Sequence, residues 1–191
     1  METVRLFVAV TLPAEIKSRL EPLYEALCHT GADCKWVEPG NYHFTLKFLG
    51  EVPVEQLPVV KEGLAVAARG VAPFQVELAG AGGFPSLREP RVIWIGVGKG
   101  REALEQLARR VEKSLAGKGF PREARPFSAH LTLGRARSRR GMEAVLQVLG
   151  TRPEETRGTF TVDHLVLMKS RLTPRGPIYH ELATFTLEPV T

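Results

Sequence analysis

Apolar residues run almost without interruption over residues 4–12 and stop at Pro13, the pattern of a β-strand. The period then changes: Ile16, Leu20, Leu23 and Leu27 recur every three or four residues, as on one face of a helix. Pro22 marks a kink or boundary inside that stretch, because it lacks a backbone donor. A second extended run, residues 42–49, ends at Gly50, and helical spacing returns over 55–68. Residues 74–79 read as strand, and glycine-rich 80–86 reads as a loop crossing between two halves. The rhythm then repeats: strand 91–97, helix 101–116, strand 130–133, helix 142–149, and strands 160–168 and 179–187. The order is β-α-β-α-β followed by β-α-β-α-β-β. Strands are not each separated by a crossover helix, so the class is α+β with mainly antiparallel sheets. The expected organisation is one domain, residues 1–191, made of two lobes.

Composition adds modest constraints. An apolar fraction of 43% and a charged fraction of 25% belong to an ordinary soluble globular protein. The net charge of +5 favours an anionic partner such as nucleic acid, although a solvated surface accounts for it equally well. Cys28 and Cys34 are the only cysteines, too few for a disulfide framework or a four-cysteine zinc site, and a reduced pair is expected. No stretch reaches the ~20 apolar residues of a membrane helix, and the first residues lack a signal-peptide pattern. A cytoplasmic protein that does not engage membranes is expected, and nothing in the sequence demands more than a monomer.

The chemistry sits in a repeat. His43-Phe44-Thr45-Leu46 and His130-Leu131-Thr132-Leu133 resemble each other, and each follows a helix and a turn-rich loop. Residues i and i+2 of a strand share a face, so His43 is presented with Thr45 and His130 with Thr132. Phe44, Leu46, Leu131 and Leu133 go to the opposite face, and Phe48 follows them into the core by the same parity. Imidazole exchanges protons near neutral pH, and a threonine hydroxyl donates to a phosphoryl oxygen. Two strands facing each other across a cleft would supply an acid, a base and two oxygen-binding groups, the parts that phosphate-ester cleavage needs. Lys47 shares the His43 face under strict alternation, as a source of positive charge or a solvated rim residue.

These motifs, with further segments, resemble the 2H phosphoesterase superfamily and its RNA 2′,3′-cyclic phosphodiesterase branch, also described as 2′-5′ RNA ligases. The likeness runs nearly end to end. It includes Arg5-Leu6-Phe7-Val8-Ala9-Val10, His43 through Val52, Phe84-Pro85-Ser86, Pro90 through Trp94, Ala129 through Arg135, and the closing stretch from Asp163 to Tyr179. Ala129 stands where many members have proline.

The resemblance implies two pseudo-twofold-related lobes of mainly antiparallel sheet, helices packed outside, and the histidines facing each other in the cleft. It implies hydrolysis of a 2′,3′-cyclic phosphate, on an RNA end or a small cyclic nucleotide, to a 2′-phosphate without cofactor or metal. By analogy His43 is the general acid, His130 the general base, and Thr45 and Thr132 hold the non-bridging oxygens. Arg135 matches a phosphate-contacting arginine, and Tyr179 closes the family's last motif. Alternation places Arg135 opposite His130, so its participation requires the strand to end or bend at Gly134.

Other residues carry plainer readings. His29 ends the first helix, His164 and His180 are structural, and Trp36 and Trp94 belong to the core or a cleft wall. Three alternatives remain open: a binding module without turnover, a metallohydrolase, and ligation by the reverse reaction at the same site. The metallohydrolase lacks a His-Glu-x-x-His pattern.

Overall fold

A computed structural model of the chain describes residues 1–150 and 156–191. Among the described residues, nine strands form two antiparallel sheets. The first contains β1 (Thr3–Thr11), β3 (His43–Pro53), β8 (His164–Thr173) and β9 (Gly176–Thr186), in the order β3-β1-β8-β9. The second contains β2 (Cys34–Trp36), β4 (Phe74–Phe84), β5 (Val92–Val97), β6 (Leu131–Ala136) and β7 (Thr159–Val162), in the order β2-β6-β5-β4-β7. Helices α1 (Ala14–His29), α2 (Leu57–Ala68), α3 (Arg101–Ala116) and α4 (Met142–Gly150) complete the α+β fold.

The sequence repeat has a topological counterpart. β1-α1-β3-α2-β4 and β5-α3-β6-α4-β8 follow one plan, and each half sends its last strand into the other half's sheet. Thus β4 lies beside β5, and β8 lies beside β1. The two histidine strands occupy equivalent places in this exchange. Residues of both sheets belong to one apolar cluster, which includes Leu6, Val8 and Phe44 from the first and Ile93, Leu131 and Leu133 from the second. β1 is apolar without a break from Leu6 to Val10 because its other face is covered too: Phe7 and Ala9 pack with Met168 and Tyr179.

Several boundaries differ from the sequence expectation. α1 runs through Pro22 without a boundary. Pro22 and Ser18 are exposed, so the carbonyl that loses its helical donor is open to water. Residues 80–84 continue β4 instead of forming a loop. Their glycines make room for an aromatic neighbour: a Cβ at Gly82 would lie 2.2 Å from the Trp94 indole. The stretch 160–168 is two strands, interrupted at Asp163, where the chain passes from one sheet to the other. The three-residue β2 was absent from the sequence reading.

Most consequential are two register shifts. In the β1–β3 ladder Ala9 faces Thr45 but Val8 faces Lys47, so Leu46 is an extra residue. In the β5–β6 ladder Trp94 faces Thr132 but Ile93 faces Gly134, so Leu133 is extra. Each bulge falls three residues after its histidine and reverses the alternation beyond it. Lys47 therefore turns to the core face, contrary to the expectation that it shares the His43 face. It is only 3% exposed, and its ammonium donates to Glu112 of α3 and to the Pro121 carbonyl, both at 2.8 Å. Phe48, expected in the core, returns to the other face and is 45% exposed, with the Arg5 guanidinium over its ring. In the second ladder Arg135 faces Val92 and comes back to the face of Thr132. The strand continues through Gly134 to Ala136, and the irregularity that turns Arg135 falls one residue earlier, at Leu133. The missing Cβ of Gly134 instead admits the Trp36 ring, 2.5 Å from where that atom would stand.

The Lys47–Glu112 pair predicts a stability phenotype. Glu112→Gln leaves a buried ammonium without its counter-charge and is expected to cost about 3 kcal/mol in urea unfolding at neutral pH. Combining it with Lys47→Met should recover most of that loss. An unchanged unfolding midpoint in the single variant would show that water already satisfies the ammonium.

Candidate active site

Local sequence sets the rings first. A 3₁₀ turn, Pro39–Asn41, delivers the chain into β3, and the Asn41 carbonyl lies 2.7 Å from Nδ1 of His43. The Ser128 carbonyl, again two residues upstream, lies 2.7 Å from Nδ1 of His130. A carbonyl can only accept, so in each neutral ring Nδ1 carries the proton and Nε2 offers its lone pair. The Thr45 hydroxyl sits 3.0 Å from Nε2 of His43.

Aromatic side chains hold both rings. His43 lies 5.0 Å from Phe7, tilted, and 5.4 Å from Tyr179, edge to face. His130 lies 5.0 Å edge to face from Phe84 and 6.3 Å from Trp94. Tyr179 thus borders His43, and Trp94 is a wall beside His130. Phe7 and Phe84 were missed as site residues, because each comes from a different strand from the histidine it touches. Their only signal was their place in the quoted family segments. Trp36, by contrast, packs against the core.

The electrostatics link the halves. β3 and β6 approach each other, and each imidazole is held below its ordinary pKa chiefly by burial. The Asn41 and Ser128 carbonyls oppose that shift by favouring the imidazolium. For His43 the charges of Lys17 and His130 push further down, and for His130 the Arg135 guanidinium does so. Burial also raises the Tyr179 phenol, with Arg135 and Arg5 partly offsetting it, so its hydroxyl remains a donor. His43, Thr45 and Tyr179 of the first sheet therefore meet His130, which leads into β6, and Arg135 of the second, with Thr132 on the Arg135 face of β6, while Lys47 stands apart.

The remaining histidines lie elsewhere: His29 bonds the Glu25 carbonyl, His164 contacts Asp163, and His180 is exposed on β9. Cys28 and Cys34 are free thiols. Among the described residues no three His, Cys, Asp or Glu side chains gather as metal ligands, and no helix is long and apolar enough to cross a membrane. What converges instead is a proton-exchanging pair with hydroxyl donors and a guanidinium, a set suited to an anionic ester.

Comparison with known proteins agrees with that chemistry. A family model, the 2′-5′ RNA ligase superfamily, matches residues 12–174. The RNA 2′,3′-cyclic phosphodiesterase of Archaeoglobus fulgidus is 40% identical over 182 residues, 95% of this chain and 99% of that protein. That of Methanothermobacter thermautotrophicus is 35% identical over 184 residues, 96% and 99% of the two chains. The structure of E. coli LigT complexed with 3′-AMP has a TM-score of 0.76 at 29% identity, covering 97% of this chain and 99% of that one. By sequence over nearly its whole length, and by fold, this chain belongs to the 2′-5′ RNA ligase superfamily.

Proposed function

We propose that the chain hydrolyses 2′,3′-cyclic phosphate ends of RNA, or small cyclic nucleotides, to 2′-phosphates by two-histidine acid–base catalysis. One observation carries the reading: two imidazoles at the heads of topologically equivalent strands, each fixed through Nδ1 by a carbonyl two residues upstream. Relatives over almost the full length carry the name RNA 2′,3′-cyclic phosphodiesterase, and LigT has been captured with a nucleoside 3′-phosphate.

The reaction follows from the groups present. Nε2 of His130 accepts a proton from a water molecule as its oxygen bonds to phosphorus. The bond from phosphorus to the 3′ oxygen breaks, and protonated Nε2 of His43 delivers its proton to that oxygen. The product is a 3′-hydroxyl and a 2′-phosphate, and proton exchange with solvent resets both rings. The Thr45 and Thr132 hydroxyls donate to the non-bridging oxygens, Arg135 supplies positive charge, and the Tyr179 hydroxyl is a further donor at the His43 side. These residues need no cofactor or metal and no second copy of the chain.

His43→Ala and His130→Ala should each lower turnover on the order of 10²–10⁴-fold, with unfolding little changed. Thr45→Val or Thr132→Val should cost less, because each removes one donor and keeps the shape. Wild-type activity should persist in EDTA. Chromatography of the product from an oligonucleotide with a 2′,3′-cyclic end checks the bond cleaved: a 3′-phosphate, or full rates in both histidine variants, defeats the mechanism.

The pH profile has a definite sign. The competent free enzyme needs His130 neutral and His43 protonated, so kcat/KM rises as the first loses its proton and falls as the second does. Both pKa values lie below the ordinary 6.5, so the maximum of kcat/KM should fall below that pH. A bound anion favours imidazolium, so kcat should peak at higher pH than kcat/KM. A kcat/KM maximum on the alkaline side of neutrality would contradict this assignment.

A further inference from the structure

The short strand β2 brings a cation to the site that the two motifs do not contain. Lys35 pairs directly with Arg135 across the β2–β6 ladder. Its neighbours fix the face: Cys34, Trp36 and Ala136 pack against the core, so Lys35 and Arg135 project from the opposite surface, together with Thr132. Both are exposed. Two like charges opposite each other on an antiparallel pair repel. Yet among the described residues neither has a carboxylate or hydrogen-bond partner, whereas Lys47, Lys118 and Arg139 are each paired with a glutamate. The juxtaposition is unfavourable until an anion enters it.

The reach of the side chain narrows what that anion is. The Lys35 ammonium extends toward the other sheet and lies beside Gly176, the first residue of β9, 3.4 Å from where a Cβ would stand. It therefore bridges the two sheets at one end of the site. Arg135 sits two ladder rungs from Thr132, roughly 7 Å along the strand. That matches the step between neighbouring phosphates on a single nucleic-acid strand. A phosphate held at Thr132 places the next one against Lys35 and Arg135.

We propose that Lys35 forms a second phosphate site, which takes the phosphodiester joining the terminal nucleotide to the rest of an RNA chain. This rests on the cyclic phosphodiesterase reading, which places the terminal phosphate between the histidines. Arg135 serves both positions, since its charge also reaches His130 and Tyr179. Lys35 lies beyond the reacting atoms and acts on chain substrates alone.

The test compares a dinucleotide ending in a 2′-phosphate with a nucleoside 2′-phosphate, by titration calorimetry. Lys35→Gln should weaken the dinucleotide about tenfold, leave the mononucleotide within about twofold, and reduce the salt dependence of dinucleotide binding by nearly one released ion. Lys35→Arg should retain most of the affinity. In turnover, Lys35→Gln should raise KM for a dinucleotide 2′,3′-cyclic phosphate with kcat unchanged, and leave the cyclic mononucleotide unaffected. Equal weakening of both ligands, or of neither, overturns the proposal. If wild-type protein fails to open either cyclic phosphate but still binds the dinucleotide through Lys35, the reaction assignment falls and the subsite stands.

Discussion

A strand has only two faces, and this site depends on how each histidine strand divides its residues between them. Strict alternation would serve the first three residues of either motif and then fail. It would send Arg135 into the core and bring Lys47 out beside His43. The extra residue at Leu46 and at Leu133 corrects both placements with the same device. Beyond the bulge, positions 47 and 134 go to the core, and positions 48 and 135 come to the site face. Each core position then finds its own solution. Lys47 takes Glu112 as counter-ion, and Gly134 has no side chain to bury, which leaves space for Trp36.

The same face is electrostatically incomplete without a ligand. Arg5, Arg135, Lys35 and Lys17 lie in or around it, and among the described residues none of the four is ion-paired with a carboxylate. Burial among Phe7, Tyr179, Phe84 and Trp94 removes water from the imidazoles and disfavours their charged forms. The backbone carbonyls work in the opposite sense, keeping protonation within reach. A phosphodiester entering this field is attracted by the cations and in turn favours an imidazolium. Under the proposed reaction, substrate binding and charging of the acid are thus one coupled event.

What the sequence revealed follows from where the information resides. Period two is written into His43-x-Thr45 and His130-x-Thr132, so the shared face of each pair was legible, as was the α+β class from alternating periods. A bulge has no comparable signature, which is why Lys47 and Phe48 were assigned to the wrong faces. The conflict over Arg135 was visible, but its resolution was located at Gly134 instead of Leu133. Glycine-rich 80–84 looked like loop because composition does not disclose that Trp94, from the next strand, occupies the space above Gly82. The contact of Tyr179 with His43 depends on pairing between strands far apart in sequence. The family motif, and not local pattern, was its only indication.

The two halves share a frame but not a chemistry. Register makes Phe48 the counterpart of Arg135, Phe7 the counterpart of Val92, and Ala9 the counterpart of Trp94. At that rung one half-site presents the Phe48 ring where the other presents the Arg135 guanidinium. Under the proposed reaction this inequality gives the symmetric frame a direction. A phosphate lying beside Arg135 spends part of its negative charge on that cation, so His130 gains least from the anion and stays neutral, as a base must. The Arg135 charge acts on His130 and Tyr179, whereas the charges acting on His43 are those of Lys17 and His130. His43 therefore receives more of the substrate's favourable field. Its Nε2, once protonated, can donate to the Thr45 oxygen 3.0 Å away or to a leaving oxygen in its place. The duplicated fold supplies two similar imidazoles, and under the proposed reaction the Arg135 guanidinium beside one of them gives them different work.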